Sequence, residues 1–105
     1  MGEFKFVPYI EQTEDAAART LLIDYRRPVT VSVVGTLDPA DSIAIEIPVN
    51  DDPNPETDAH WQTLTIDGED QVLDADNLAR AIPYSLLVRI KKPATAGREI
   101  GIRVM

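Results

Sequence analysis

Alternation of apolar and polar side chains is the clearest pattern in this chain, and it is strongest in residues 28–50, PVTVSVVGTLDPADSIAIEIPVN. In residues 29–34 and again in residues 43–49, every second side chain is Val or Ile. A period of two sends successive side chains to opposite faces of an extended backbone, so each run predicts a β-strand with one buried face. Residues 35–41, GTLDPAD, predict a turn between the runs. The two strands are therefore expected to form either a hairpin or a short arch between two sheets.

Shorter runs of the same kind predict further strands in the rest of the chain. They cover residues 4–10, 21–25, 61–66, 71–73, 84–91 and 100–104. Residues 78–82 fit either a single helical turn or an extended segment, and residues 11–19 fit either a short helix or a flexible connection. Asp67-Gly68 is a strong short-range turn signal. The pattern predicts an all-β fold, a single antiparallel β-sandwich, Ig-like or jelly-roll, with about seven to eight strands.

Length and composition limit the organisation of the chain. At 105 residues it is expected to fold as one domain, residues 1–105, and without cysteine it has no disulfide. The first residues, MGEFK, lack the basic and apolar regions of a secretory signal, and no apolar stretch has the length of a membrane span. We therefore expect a soluble protein made in the cytoplasm, with no membrane partner.

The charge is acidic, with ten basic and eighteen acidic residues and a formal net charge of −8. Binding to a phosphate backbone needs Lys and Arg to displace counterions, so this charge argues against a nucleic-acid partner. It favours solubility and is compatible with docking on a basic surface.

No set of residues in the sequence is typical of catalysis, so we predict that the protein is not an enzyme. His60 is the only histidine, and no serine is marked as its nucleophile. Asp52, Asn54, Glu56 and Asp58 alternate like oxygen ligands, but prolines rather than a glycine lie between them. A solvated acidic loop is the preferred interpretation of this segment, with no metal and no cofactor.

Two groups of residues are candidates for binding. Trp61 follows the loop of residues 50–60 and is predicted to be a core residue; as an alternative, it would be a stacking platform in a ligand- or carbohydrate-binding module. Lys91, Lys92 and Arg98 flank the turn at residues 93–97 and form a basic cluster suited to orienting the domain on a partner.

Three segments of the chain carry a further pattern: PVTVSVVGTLDPADSIAIEI, the Trp-x-x-Leu-Thr strand and Asp-Gly turn of WQTLTIDGEDQVL, and the final pair LLVRIKKPATAGREIGIRV. In these segments, over roughly residues 28–105, the chain resembles a class of small tailed-bacteriophage structural proteins with one β-sandwich domain. In this class the loop before the Trp is often Gly-rich, whereas here it is rich in Pro and Asp.

The resemblance implies a virion component, made in the host cytoplasm and most often a capsid decoration protein. A tail or adaptor component is the alternative within this class. The implied partner is the major capsid protein or another virion protein, with the chain as a homo-oligomer on the lattice. Residues 1–27 are a candidate attachment arm, in which residues 1–10, with Phe4, Phe6 and Tyr9, would add as a strand to the edge of a partner's sheet.

Overall fold

The computed structural model describes residues 17–84, 86–95 and 97–105. Over these residues the chain forms ten β-strands and one short 3₁₀ helix, Asp58–His60. The strands are β1 (Arg19–Tyr25), β2 (Val29–Val34), β3 (Ile43–Pro48), β4 (Trp61–Thr63), β5 (Thr65–Ile66), β6 (Glu69–Asp70), β7 (Val72–Leu73), β8 (Ala79–Ile82), β9 (Leu86–Lys92) and β10 (Gly101–Val104). The predicted all-β fold is confirmed.

The strands form two main antiparallel sheets and one small hairpin. The larger sheet has the order β1-β9-β3-β4, with β7 also pairing with β3, and the smaller one has the order β10-β2-β8. Strands β5 and β6 pair with each other. Since β2 and β3 belong to different sheets, residues 35–42 form an arch. The sequence left a hairpin open as the other outcome, and the structure excludes it.

The core lies between the two sheets and follows the predicted alternation. Val31 of β2 and Ile43 and Ile45 of β3 are fully buried, as are Val88 and Ile90 of β9. They belong to one cluster that joins side chains of both sheets. Burial of aliphatic side chains stabilises the fold by about 1.5–3 kcal/mol per side chain, so this cluster is the main source of stability.

The strand count exceeds the expected seven to eight because the predicted strand at 61–66 is divided into β4 and β5 and because Glu69–Asp70 form the additional strand β6. Leu64 turns inward with 3% of its surface exposed, and its N–H donates to the carbonyl of Ile45. The chain then leaves β3 and forms the β5–β6 hairpin. Asp67 and Gly68 have φ values of 54° and 81°. These positive values are those of a type I′ turn, as the Asp-Gly pair predicts.

The predicted turns and short strands lie near their expected places. Residues 79–82 are extended and pair with β2, so the strand alternative is correct. The predicted strand at 71–73 is the two-residue β7, which pairs with β3. The strand expected at 21–25 is found as β1. The strand expected at residues 4–10 lies outside the described residues, as does most of the segment at 11–19.

Gly35 allows the arch to approach the opposite loop closely. Its φ is 117°, and a Cβ at this position would lie 2.7 Å from the carbonyl oxygen of Glu99. A side chain here would clash with the backbone and would also force an unfavourable φ. The glycine therefore lets the arch after β2 pack against the chain that enters β10.

Candidate functional site

The loop of residues 50–60 lies against the outer face of the larger sheet. Opposite residues of antiparallel strands share a face, and Glu46 pairs with Arg89 while Pro48 pairs with Trp61. Ile45, next to Glu46 in β3, points into the core. Glu46, Arg89 and Trp61 therefore project away from the core, toward the side covered by the loop.

Arg89 joins this loop to the sheet. Its Nε donates to Glu46 Oε1 at 2.8 Å, and its Nη1 donates to the carbonyl of Pro55 at 2.9 Å and to Asp58 Oδ1 at 3.1 Å. The guanidinium carbon lies 5.3 Å from the centre of the Trp61 ring, within range of a cation–π interaction. Only 1% of the Arg89 side chain is exposed. We call these five residues the Arg89 anchor.

Trp61 is buried between the loop and the sheet. It is 6% exposed, and its Nε1 donates to the carbonyl of Asn54 at 3.0 Å. One ring face is occupied by the Arg89 guanidinium. Burial agrees with the preferred interpretation of Trp61, although it packs on the outer face of the sheet and not between the sheets. In this conformation its ring is not available for stacking on a ligand.

Asp58 shares its charge between two cations. Lys91 Nζ donates to Asp58 Oδ1 at 2.7 Å, and Arg89 donates to the same oxygen. These two hydrogen bonds, that of Lys91 first, hold the pKa of Asp58 below its ordinary value. Lys91 therefore serves as a partner of the acidic loop.

The remainder of the loop is stabilised by local hydrogen bonds. Asn50 Oδ1 accepts from the N–H of Asp52, and Asn54 Oδ1 accepts from that of Glu56. His60 Nδ1 accepts from the N–H of Asn54 at 2.9 Å. Such contacts are typical of Asx turns and fix the backbone locally. The loop is thus held from both sides and keeps several carboxylates at the surface.

Arg98 makes a second set of ion pairs at another part of the molecule. It bonds to Asp41, lies 3.4 Å from Asp38, and donates to the carbonyl of Thr36 at 3.1 Å. Its hydrogen bond and the N–H of Asp38 lower the pKa of Asp41. The Asp41 carboxylate in turn raises the pKa of Arg98. We call these four residues the Arg98 clamp, since they join the β2–β3 arch to the β9–β10 connection.

Lys92 lies on the opposite face from Lys91. It is fully buried, and its Nζ donates to the carbonyls of Ala17 and Pro93. Lys91 belongs to the acidic loop and is therefore separated from Lys92. Lys92, in the interior at the start of β1, and Arg98, at the arch, both lower the pKa of Asp41, with Arg98 the larger cause. Phe4, Phe6 and Tyr9 lie outside the described residues.

Other candidate residues have structural contacts. Asp74 Oδ1 accepts from the N–H groups of Asp76 and Asn77, as expected of a turn residue. Those two bonds, that from Asn77 first, lower the pKa of Asp74. Within residues 17–84, 86–95 and 97–105, no group of three or more His, Asp or Glu side chains is placed to hold a metal ion.

An open groove of about 210 Å³ lies where β2 begins and β8 ends. Its walls come from residues 28–30 and 81–83 and from Met105. None of the side chains of these residues is titratable.

The sequence pattern missed the central role of Arg89. Its position in β9 predicts an outward side chain, which is correct, but outward positions are ordinarily exposed. Its partners Glu46 and Asp58 are 43 and 31 residues away in the chain. No local signal connects them. A tryptophan directly after an acidic loop is the one feature that points to a cation nearby.

No family model, curated protein or solved structure matches this chain. No helix in the described part of the chain is long and apolar enough to cross a membrane.

Proposed function

We propose that this domain is a non-enzymatic structural component of a tailed-bacteriophage virion, and that it decorates the outer surface of the capsid. The observation that carries the proposal is that the three segments behind the resemblance are strands of one sandwich. Residues 28–47 supply β2 and most of β3, residues 61–73 supply β4 to β7, and residues 86–104 supply β9 and β10. These segments therefore contribute to eight of the ten described strands.

The Arg89 anchor supports a docking role. A component of a repeating lattice needs a surface of fixed shape, because ordering a mobile loop on binding costs free energy. The loop of residues 50–60 is held by Arg89 and Trp61 before any partner arrives. It keeps Asp51, Asp52 and Glu56 exposed. Their charge suits a basic patch on a capsid subunit.

The attachment element in this proposal is the segment of residues 1–10, beyond the described residues. The buried Lys92 ammonium binds the carbonyl of Ala17, which fixes the backbone just before β1. An apolar segment starting from a fixed point suits addition to a partner's sheet edge.

The test is the copy number of this chain, relative to the major capsid protein, in purified particles of the phage that encodes it. We expect one copy per capsid subunit or per few subunits. The same measurement on particles exposed to a chain lacking residues 1–10 tests the attachment element, and we expect that chain to remain folded and unbound.

Other results would change the proposal. A handful of copies per particle would move the protein to the tail or connector. Its absence from particles would overturn the virion role and favour a ligand-binding module. Full binding by the shortened chain would overturn the attachment element alone.

A further inference from the structure

Strand β1 is the longest edge strand in the described part of the chain. It pairs with β9 through all seven of its residues, and in the described region no strand pairs with its other edge. The edge strands of the smaller sheet, β8 and β10, have four residues each. β1 contains no proline, and its row of backbone groups is continuous. An edge of this length is a template for pairing with another strand.

The side chains of β1 are only partly covered. Leu21 and Ile23 face the core but are half-buried, whereas Val88 and Ile90 on the neighbouring strand are fully buried. Leu22, on the outer face, is 47% exposed. The apolar core layer therefore continues to this edge, and Leu22 is an exposed apolar side chain on the outer face; another strand would cover both.

The sequence of β1, RTLLIDY, is suited to pairing with a second copy of itself. A two-fold axis relates the two copies in an antiparallel pair of identical strands. The core-facing side chains of both copies lie on the same side of the joined sheet only if this axis passes through a residue and not between two residues. An axis at Leu22 pairs all seven residues, and axes at Leu21 or Ile23 pair fewer. The axis at Leu22 places Leu22 opposite the partner's Leu22 and Leu21 opposite the partner's Ile23.

The charges also fit this register. Thr20 lies opposite the partner's Asp24, so its hydroxyl can donate to a carboxylate. No two like charges are directly opposite, which matters for a chain of net charge −8. Asp24 already pairs with Arg26 in its own chain at 3.0 Å. This partial neutralisation lowers the repulsion between two copies.

We propose that β1 is a homodimer interface, in which two copies pair edge to edge about Leu22 and join their larger sheets into one. The contact does not depend on the virion role. One strand pair buries less area than a standard interface, so the free dimer is weak and concentration-dependent. Any array that holds copies side by side would raise their effective concentration and strengthen it.

Cross-linking of the full chain tests the register directly. The native chain has no cysteine, so a single Leu22→Cys substitution gives one thiol per copy. Opposite residues of antiparallel strands have Cα atoms about 4.5–5.5 Å apart, which a disulfide spans. Val49→Cys is the matched control, because Val49 is 49% exposed and lies away from β1.

Under mild oxidation we expect Leu22→Cys to shift from monomer to disulfide-linked dimer, while Val49→Cys stays monomeric. Sedimentation of the unmodified chain over a concentration series should show a reversible dimer that Leu22→Lys abolishes. Far-UV circular dichroism checks that each variant is folded. Monomeric Leu22→Cys, equal cross-linking of both variants, or a dimer unaffected by Leu22→Lys would each overturn the proposal.

Discussion

The Arg89 anchor and the Arg98 clamp use the same chemistry in different surroundings. Each joins a loop to the sandwich through one guanidinium, two carboxylates and a backbone carbonyl. Arg89 has 1% of its side chain exposed, and Arg98 has 28%. Arg89 also lies over a tryptophan. The Arg98 side chain is partly open to water, whereas the Arg89 side chain is almost completely shielded from it, although its partner Asp58 is 68% exposed.

The comparison shows how burial determines the role of an ion pair. A shielded cation must keep all its partners, because removing one leaves a buried charge without compensation. A cation in contact with water can replace a lost partner by solvent, so its pairs contribute less. The anchor is therefore expected to control whether the loop of residues 50–60 is folded. The clamp is expected to adjust the stability of the arch.

The largest effect is expected from Trp61→Ala, which removes the covered ring of the anchor. Loss of a buried Trp side chain costs about 3–5 kcal/mol of unfolding free energy. Urea denaturation followed by circular dichroism measures this change. Trp61→Phe is the matched variant, because it keeps an aromatic face for Arg89 and loses the bond to Asn54. It should lose only part of the stability. An Ala variant as stable as the native chain, with a ligand-binding activity lost, would instead support the stacking alternative.

The next effect is expected from Arg89→Met, which keeps the length of the side chain and removes its charge. Glu46 is 16% exposed and would lose its partner, so we expect a loss of about 3 kcal/mol, near the low end for broken buried pairs. The loop should also become sensitive to limited proteolysis near Pro55, whose carbonyl bonds to Arg89.

Arg26→Met is the control for this substitution. Arg26 pairs with Asp24, but its side chain is 83% exposed. Exposed pairs of this kind contribute little, so the denaturation midpoint should be unchanged. Equal losses of unfolding free energy in Arg89→Met and Arg26→Met would show that burial does not distinguish the two arginines.

The strands were predictable because their signal is local. Val31, Ile43 and Ile45 lie at alternate positions, and all three are fully buried. The Asp67-Gly68 turn was equally predictable from the sequence, since positive φ values restrict the residue types that fit. In each case a few neighbouring residues contain the information.

The anchor was not predictable because its information is distributed along the chain. Nothing near Arg89 indicates that a loop more than thirty residues earlier folds over it. The arch after β2 could not be distinguished from a hairpin for the same reason, since the outcome depends on which sheet each strand joins. Lys91 and Lys92 make different contacts because adjacent strand residues point to opposite faces.

The smallest effect is expected from Asp41→Asn in the clamp, and it appears most clearly at low pH. The hydrogen bond from Arg98, and then the Asp38 N–H, hold the pKa of Asp41 below its ordinary value of 3.8. The unfolded chain therefore binds a proton at this group more readily than the folded chain. Its stabilising contribution is complete above the ordinary pKa and is lost as pH falls through the lowered one.

The native chain should accordingly lose stability below about pH 4, because carboxylates with lowered pKa values then take up protons more readily in the unfolded chain than in the folded one. Asp41→Asn should be slightly less stable at pH 7, and its denaturation midpoint should fall less steeply below pH 4. Some slope should remain, because the pKa of Asp58 is lowered by Lys91 and Arg89. Asp51→Asn, in the exposed acidic loop, is the control, and its profile should parallel the native one. If the pH profile of Asp41→Asn also paralleled the native one, the clamp would make no pH-dependent contribution to stability. Burial alone would then not explain the contrast between the clamp and the anchor.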